Sequence, residues 1–463
     1  MTATHGLAPR SVPEHEATAP TVPDTPRSPG GRWRARNMVV LGGSMIVDGS
    51  ESGLVNALFP VIAASLGLAT SALGILSASS RLIGSVAGPT WVFLARKFGR
   101  KAVLATATGF WGLWAVAAGL AQSFVQLVVL YTIAAAGVAA AHAIVPEVIG
   151  DSYEDRKRGR VVGWLYGGAA AGSSVLAPVI AQLANIEDGW RYGFFLFGGI
   201  NVVFGVLILL FYRDPGTGAG EAQLSSLSQA QRDAESTITW ARVRSLVRIP
   251  SFVVLLVSRL LSSHLLLAAF GVTLLVQEFG FDTATAAVVM SPFGVGYLAG
   301  TVAGGLLADA LHRLSPDHGR VALLQVAQAL FAAVAYVTTQ IAFDGIAPYL
   351  VLFGLIGATM GLNPGVNRPL VMAVVPPELR GAAFAIFVSI VESVGFAVYT
   401  LLAGFLADSY GLQAVMLWLV VGLMTLNAAF LTALYRPYVK DSRALVAELE
   451  RRAHAAAGET PDA

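Results

Sequence analysis

Ionisable side chains are scarce inside the long apolar runs of this chain, and the few that occur there are the residues able to do chemistry. Asp or Arg at the centre of a membrane helix costs about 2.5–3.5 kcal/mol on insertion scales, so each is a functional candidate by default. Ser44, Asp48, Glu51, Ser52 and Asn56 recur at spacings of three and four, which puts them on one helix face and predicts a polar stripe facing water. At 1.5 Å per residue, Glu51 falls roughly 20 Å from the basic end of its run, and Arg81 on the next run reaches about the same depth. The two are expected to pair, either within a water-lined cavity or as a buried structural link. Farther on, Arg259 and Ser263 share a face, whereas His264 is turned about 140° away from Arg259 at 100° per residue. A proton carrier and a neutral helix-contact histidine both fit His264. His142 lies close to the basic end of its run, where a structural role is the better reading.

Two further segments carry candidates. Gly361-Leu362-Asn363-Pro364-Gly365-Val366-Asn367-Arg368-Pro369 puts two prolines and two glycines inside one apolar run. Such a run frees backbone carbonyls and kinks, which is tolerated only against protein or a cavity. Asn363 and Asn367 then share a face, while Arg368 fits a gate or an anchor that snorkels to the surface. Glu392 lies deep in a later run with no charged neighbour in sequence. Burial without a partner favours the protonated form of a carboxyl, as a proton-coupling group requires. Asp48, Glu51, Glu392 and His264 are therefore the proton-coupling candidates, and Arg81, Asn56, Arg259, Ser263, Asn363, Asn367 and Arg368 the substrate-cavity candidates.

The elements that position these residues follow from composition. Of 463 residues, 55% are hydrophobic and 13% charged, with mean hydropathy +0.67, against roughly 25% charged in a soluble domain. Unpaired backbone groups are intolerable in hydrocarbon, so the long runs must be helices. Runs bounded by charge or turn residues place twelve spans near 38–64, 70–94, 102–122, 125–149, 160–184, 193–212, 251–277, 284–308, 320–342, 346–373, 381–407 and 412–434. The expected fold class is all-α integral membrane, twelve helices in two pseudo-symmetric six-helix bundles. Net charge is only +2, which excludes the basic field of a nucleic-acid binder. The absence of cysteine excludes disulfides, thiolate metal sites and cysteine nucleophiles. No metal-ligand cluster or P-loop is present, so neither a metal, a cofactor nor a nucleotide is expected. An enzyme would have to work without a paired-acid, Ser/His or metal constellation beyond Glu51 and His264.

Orientation follows from the basic residues in short loops. Arg32, Arg34 and Arg36, then Arg96, Lys97, Arg100 and Lys101, then Arg156, Lys157, Arg158 and Arg160 fall on one side, as do Arg242, Arg244, Arg248, Arg313, Arg320, Arg380 and Arg436. The opposite loops offer essentially Arg191. The expected domains are a disordered cytoplasmic tail at 1–35, a bundle at 36–213, a cytoplasmic linker at 214–250, a second bundle at 251–435 and a cytoplasmic tail at 436–463. Residues 1–30 show no cleavable signal, and 439–455 read as an amphipathic cytoplasmic helix. Both termini are thus expected in the cytoplasm, with the chain in the plasma (inner) membrane.

The halves repeat. Leu94-Ala95-Arg96 matches Leu307-Ala308-Asp309, Gly99-Arg100 matches Gly319-Arg320, and Arg158-Gly159 matches Arg380-Gly381. At these residues the chain resembles the major facilitator superfamily, whose loop between spans two and three reads Gly-x-Leu-Ala-Asp-Arg-x-Gly-Arg-Lys/Arg. Leu94 through Lys101 fits most of it. Val92 stands at the first Gly, and Arg96 replaces the acid with which that family latches its cytoplasmic side. The second copy, Gly305-Leu306-Leu307-Ala308-Asp309, keeps its Asp. The resemblance implies a cytoplasmic gate of Arg96, Lys97, Gly99, Arg100, Lys101, Asp309, Arg158 and Arg380.

Subfamily features divide. Gly163, Gly167, Gly168 and Gly172 with Ala177-Pro178 are similar to the motif of proton-coupled drug exporters, whose terminal glycines are replaced by Ala181 and Gln182. Phe110-Trp111-Gly112-Leu113-Trp114 and Gly119 through Phe124 look like bacterial Spinster-type lipid transporters, with Glu51 at the first-span Asp and Tyr131 and Val138 at the fourth-span Arg and Glu. The expected function is secondary transport of a small organic compound by alternating access, as proton-coupled efflux of a drug or metabolite. The alternatives are a Spinster-like lipid or organic-anion carrier, motivated by Arg81, Arg259 and Arg368, and a non-transporting membrane receptor. The expected partners are a small-molecule substrate, protons and the lipid bilayer, with the chain as a monomer.

Overall fold

A computed structural model describes residues 31–153, 155–214, 244–376 and 379–457. The expected linker lies largely outside the described residues, as do the first 30 and last 6 positions. The first half consists of α1 (Gly31–Leu66), α2 (Ser71–Phe98), α3 (Arg100–Gly119), α4 (Phe124–Ser152), α5 (Asp155–Ala181) and α6 (Gly189–Phe211). The second consists of α7 (Pro250–Phe279), α8 (Thr283–Leu314), α9 (Gly319–Gln340), α10 (Ala347–Val374), α11 (380–410) and α12 (Leu412–Arg451). Among the described residues, 11 helices are long and apolar enough to cross a membrane. The twelfth is the 28-residue α2, whose Arg81, Ser77, Ser80 and Ser85 lower its hydropathy because they line a cavity rather than lipid.

Helix boundaries follow local chemistry. The Asp282 side chain accepts the Thr285 backbone N–H at 2.9 Å and starts α8, and Pro250 sits at the start of α7, where its missing N–H costs nothing. Gly99, at φ +86°, lets α2 turn directly into α3. Gly411, at φ +80°, does the same between α11 and α12. α12 does not stop at the membrane: helix continues through Tyr435–Ala457, and Asp441 accepts the Ser251 backbone N–H at 2.9 Å and its hydroxyl at 2.6 Å. The expected amphipathic tail helix is therefore the continuation of the last span, tied to the start of α7.

Three apolar clusters define how the halves meet. One spans both, joining Leu54, Phe59, Leu76 and Phe194 of the first half to Phe270, Phe331, Phe353 and Val420 of the second. It lies at the end away from the basic loops. At the basic end the clusters are separate: Leu41, Leu104, Ile144 and Tyr212 belong to the first half, and Phe252, Leu324, Leu370 and Tyr438 to the second. Closure at the far end relies on glycines that admit close approach of the facing helix. A Cβ on Gly74 of α2 would lie 2.3 Å from the Thr400 carbonyl oxygen of α11, and one on Gly294 of α8 would lie 1.7 Å from Ser174 Oγ of α5. These two crossings are related by the internal repeat. The halves are thus sealed together at one end and parted at the basic end.

Candidate functional site

Between the parted halves lies a cavity of about 920 Å³, running from Glu51 and Asn56 at mid-depth to Arg96 at the basic end. Its walls come mainly from α1, α2 and α4, with Ser393 and Phe396 of α11 facing them. Helix packing explains the asymmetry. In the second half α8 and α10 touch directly, since a Cβ on Gly300 would stand 2.0 Å from the Ala358 carbonyl oxygen. In the first half the matching α2–α4 contact is held open by methyl groups, with Ala143 Cβ 3.8 Å from the Cβ position of Gly88.

The central charged feature is a three-residue clamp. One Arg81 guanidinium nitrogen (NH2) donates to Glu392 Oε1 at 3.1 Å, and Arg259 donates to the other carboxylate oxygen. Arg81 lies over the Phe396 ring, 5.7 Å from its centroid, and Arg259 over Phe387 at 5.6 Å, so both cations gain from aromatic faces. Arg81 is 41% exposed, while Arg259 and Glu392 are each 13% exposed. Arg81 therefore presents to the cavity, and Arg259 stands behind the carboxylate.

Backbone irregularities set up the clamp. A π-helical stretch, Ala385–Glu392, ends on Glu392, the kind of register change that π-turns introduce in helices. α7 is interrupted after Leu261, with Ser262 at ψ 89°, directly after the turn that carries Arg259. The interruption orphans carbonyls, and the Tyr399 hydroxyl of α11 donates to the Leu260 carbonyl at 2.6 Å. Ser263 Oγ donates to the Leu419 carbonyl within a π-helical stretch of α12, Met416–Gly422. The Leu260 and Leu419 carbonyls thus each acquire a side-chain donor.

Two sequence expectations fail here. Glu392 was expected without a charged neighbour; it is held by two arginines, one from each half. Glu51 was expected to pair with Arg81; instead the Asn201 side-chain amide of α6 donates to Glu51 Oε2 at 2.7 Å. Neither contact was accessible to arguments of depth along neighbouring helices, because both partners lie on helices distant in sequence. Asn201 was missed, and its signal was there: a lone amide in an otherwise apolar run, buried to 3% exposure. Asp48 is buried one turn from Glu51 with Oδ2 unpartnered.

Other candidates take structural positions. His264 is buried, with Nδ1 3.2 Å from Ser262 Oγ and its ring edge-on to Phe331; it does not line the cavity. Asn363 accepts from Gln328 of α9 and donates to the Met360 carbonyl at 3.2 Å, so it fastens α9 to α10. Asn367 is buried, Arg368 is exposed, and neither Asn363, Asn367, Ser263 nor Arg368 lines the cavity. Asn56 does.

At the basic end, Arg96 lines the cavity mouth and Lys97 lies 5.3 Å from the Phe98 ring centroid. Arg100 contacts Glu147 at 3.4 Å and Asp214 at 3.8 Å, whereas its repeat counterpart Arg320 contacts Asp309 at 3.7 Å. Lys101 is half-buried. Arg380 donates to the Val375 and Met372 carbonyls at 3.3 and 3.0 Å, closing the end of α10. The Arg158 side chain lies outside the described residues.

Comparison with known proteins agrees with this architecture. The model of the Major Facilitator Superfamily matches residues 40–390 and 253–458. The 3-(3-hydroxy-phenyl)propionate transporter of Escherichia coli is 28% identical over 218 residues, 47% of this chain and 51% of that protein. A probable L-galactonate transporter of Escherichia coli is 29% identical over 189 residues, 40% of this chain and 41% of that protein. The chain thus spans about half the length of the curated relatives it matches. Among solved structures, a bacterial homolog of the human lysosomal transporter Spinster, inward-facing and unoccupied, superposes with a TM-score of 0.72 at 17% identity, over 90% of this chain and 98% of that one; this likeness is one of fold.

Proposed function

The chain belongs to the Major Facilitator Superfamily, and from that premise we propose that it carries a small organic anion across a membrane by alternating access, driven by protons. The observation that carries this reading is Arg81, a half-exposed cation at mid-depth in a cavity open at one end only. A guanidinium is the group suited to planar recognition of a carboxylate. The names of two relatives, for a propionate and a galactonate, point the same way. Of the sequence-based alternatives, this favours the organic-anion carrier over drug efflux. Two of the glycines behind the exporter resemblance are explained by packing: Gly167 abuts Leu298 and Gly172 abuts Ile46.

The positive-inside bias supports taking the basic end as cytoplasmic, which makes the cavity inward-open in this reading. Binding near the junction of two six-helix repeats is how such folds alternate access. Asp48 and Glu51 are the proton-carrier candidates. Protonating Glu392 would forfeit two ion pairs, whereas protonating Glu51 forfeits none, because its partner is the Asn201 amide. Coupling is physically useful for an anion: an interior-negative potential opposes its entry by about 2.3 kcal/mol per 100 mV, and one accompanying proton cancels that work.

Purified protein in liposomes tests the reading. Radiolabelled 3-(3-hydroxyphenyl)propionate and galactonate should enter against a gradient when a pH difference is imposed, with the driving polarity giving the direction. Uptake of neither, alongside transport of an uncharged or lipid substrate, would contradict it.

A further inference from the structure

Glu392 occupies Arg81 from the opposite half, and that contact has the chemistry expected of a substrate. Its carboxylate comes from α11, spans the gap and takes one guanidinium N–H at 3.1 Å, while its second oxygen is retained by Arg259. The two arginines differ: Arg81 opens to the cavity and Arg259 does not. Glu392 takes only one terminal nitrogen of Arg81 while the side chain stays 41% exposed, so a mobile carboxylate can engage the guanidinium from the cavity side. Ser80, Ser393 and the Phe396 ring surround the position on the cavity side. The clamp also lies just inside the α2–α11 crossing that seals the far end, where Gly74 meets Thr400.

Building on the organic-anion reading, we infer that Glu392 is a built-in competitor for the substrate's carboxylate: it holds Arg81 in the empty carrier and is displaced onto Arg259 alone when an anion binds. Substrate then replaces the ion pair between α2 and α11, and the seal at the far end is loosened by loading. Arg259 makes the exchange cheap, since the displaced carboxylate keeps a cation and is never left buried and unpaired. Glu392 is thus a specificity residue: it sets a threshold that only a ligand with its own anionic group meets, and a neutral isostere cannot displace it.

Affinity measurements on the detergent-solubilised full chain test this, with 3-phenylpropionate and its neutral amide as probes. Glu392→Gln should bind the acid roughly fivefold more tightly than wild type, the scale of a released partly exposed ion pair. Glu392→Asp, which keeps the charge on a shorter arm, should shift the same way by less, and it serves if the Gln variant does not fold. In an Arg81→Gln background neither change should matter. Unchanged or weaker binding of the acid in both Glu392 variants overturns the inference, as does a gain that persists without Arg81. The organic-anion reading fails separately: wild type would then bind the amide as well as the acid.

Discussion

Arg81 and Glu392 are 311 positions apart in the chain and 3.1 Å apart in space, and their contact joins the two halves beneath the closed end of the molecule. Each is positioned by its own helix. Phe396, one turn beyond Glu392 on α11, lies under the Arg81 guanidinium at 5.7 Å, so the ring and the carboxylate that hold Arg81 are presented by the same face. A cation fixed in this way stays partly hydrated yet aimed, which suits binding an anion that must later leave.

The seal above this contact depends on the absence of side chains. Gly74→Val would drive a branched residue into the Thr400 carbonyl, since even a Cβ would stand 2.3 Å away. The variant is expected to favour the opposite conformation, with the cavity closed at the basic end. A cysteine at Ser85, on the cavity wall, should then react severalfold more slowly with maleimide supplied from the cytoplasmic side; equal rates would show that α2 and α11 do not form the seal.

Because the chain contains no cysteine, single replacements report topology without background. Ser315→Cys, in the turn after α8, is expected to label only from the cytoplasm, and Ser123→Cys, at the start of α4, only from outside. The reverse pattern would invert the orientation.

The proposed proton coupling rests on Glu51 and Asp48, the acids that lack a cation. Glu51→Gln should continue to exchange substrate, at a reduced rate, while losing accumulation under an imposed pH gradient, and Asp48→Asn should blunt the same gradient response. Gradient-driven accumulation at the wild-type level in both variants would leave these carboxyls a structural role with Asn201.

Arg96 stands at the cavity mouth in place of an acid. Arg96→Asp restores the residue that the second half retains as Asp309, which contacts Arg320 at 3.7 Å. The maximal rate is expected to change more than the half-saturating concentration, as for a residue acting on closure. A change in affinity alone would count against gating.

The fold was readable because hydropathy, loop charge and the Gly-Arg repeat at Gly99 and Gly319 all act locally along the chain. α2 shows where that reading and function meet: its low hydropathy, a weakness for recognising a span, marks the helix that lines the cavity. The site was less legible. Depth arguments placed Glu51 and Arg81 level, but depth does not choose between partners, and Asn201 and Glu392 are brought in by helices distant in sequence. Nor did periodicity anticipate that α7 breaks after Leu261 or that α11 gains a π-helical stretch before Glu392; the α7 break is stabilised by a donor from another helix, the Tyr399 hydroxyl of α11. The polar motif around Asn363 read as a cavity wall and proved to be a fastening to Gln328, a tertiary contact that composition does not distinguish.

The account turns on Arg81 as the group that recognises an anion. Initial rates of 3-(3-hydroxyphenyl)propionate uptake should be compared between wild type, Arg81→Lys and Arg81→Gln, each reconstituted at equal density. A charged hydrogen bond contributes about 1.5–3 kcal/mol, so Arg81→Gln should lower kcat/KM by roughly 10- to 150-fold, with Arg81→Lys intermediate because it keeps the charge without the planar fork. Uptake of the anion by Arg81→Gln at wild-type efficiency would contradict the central claim.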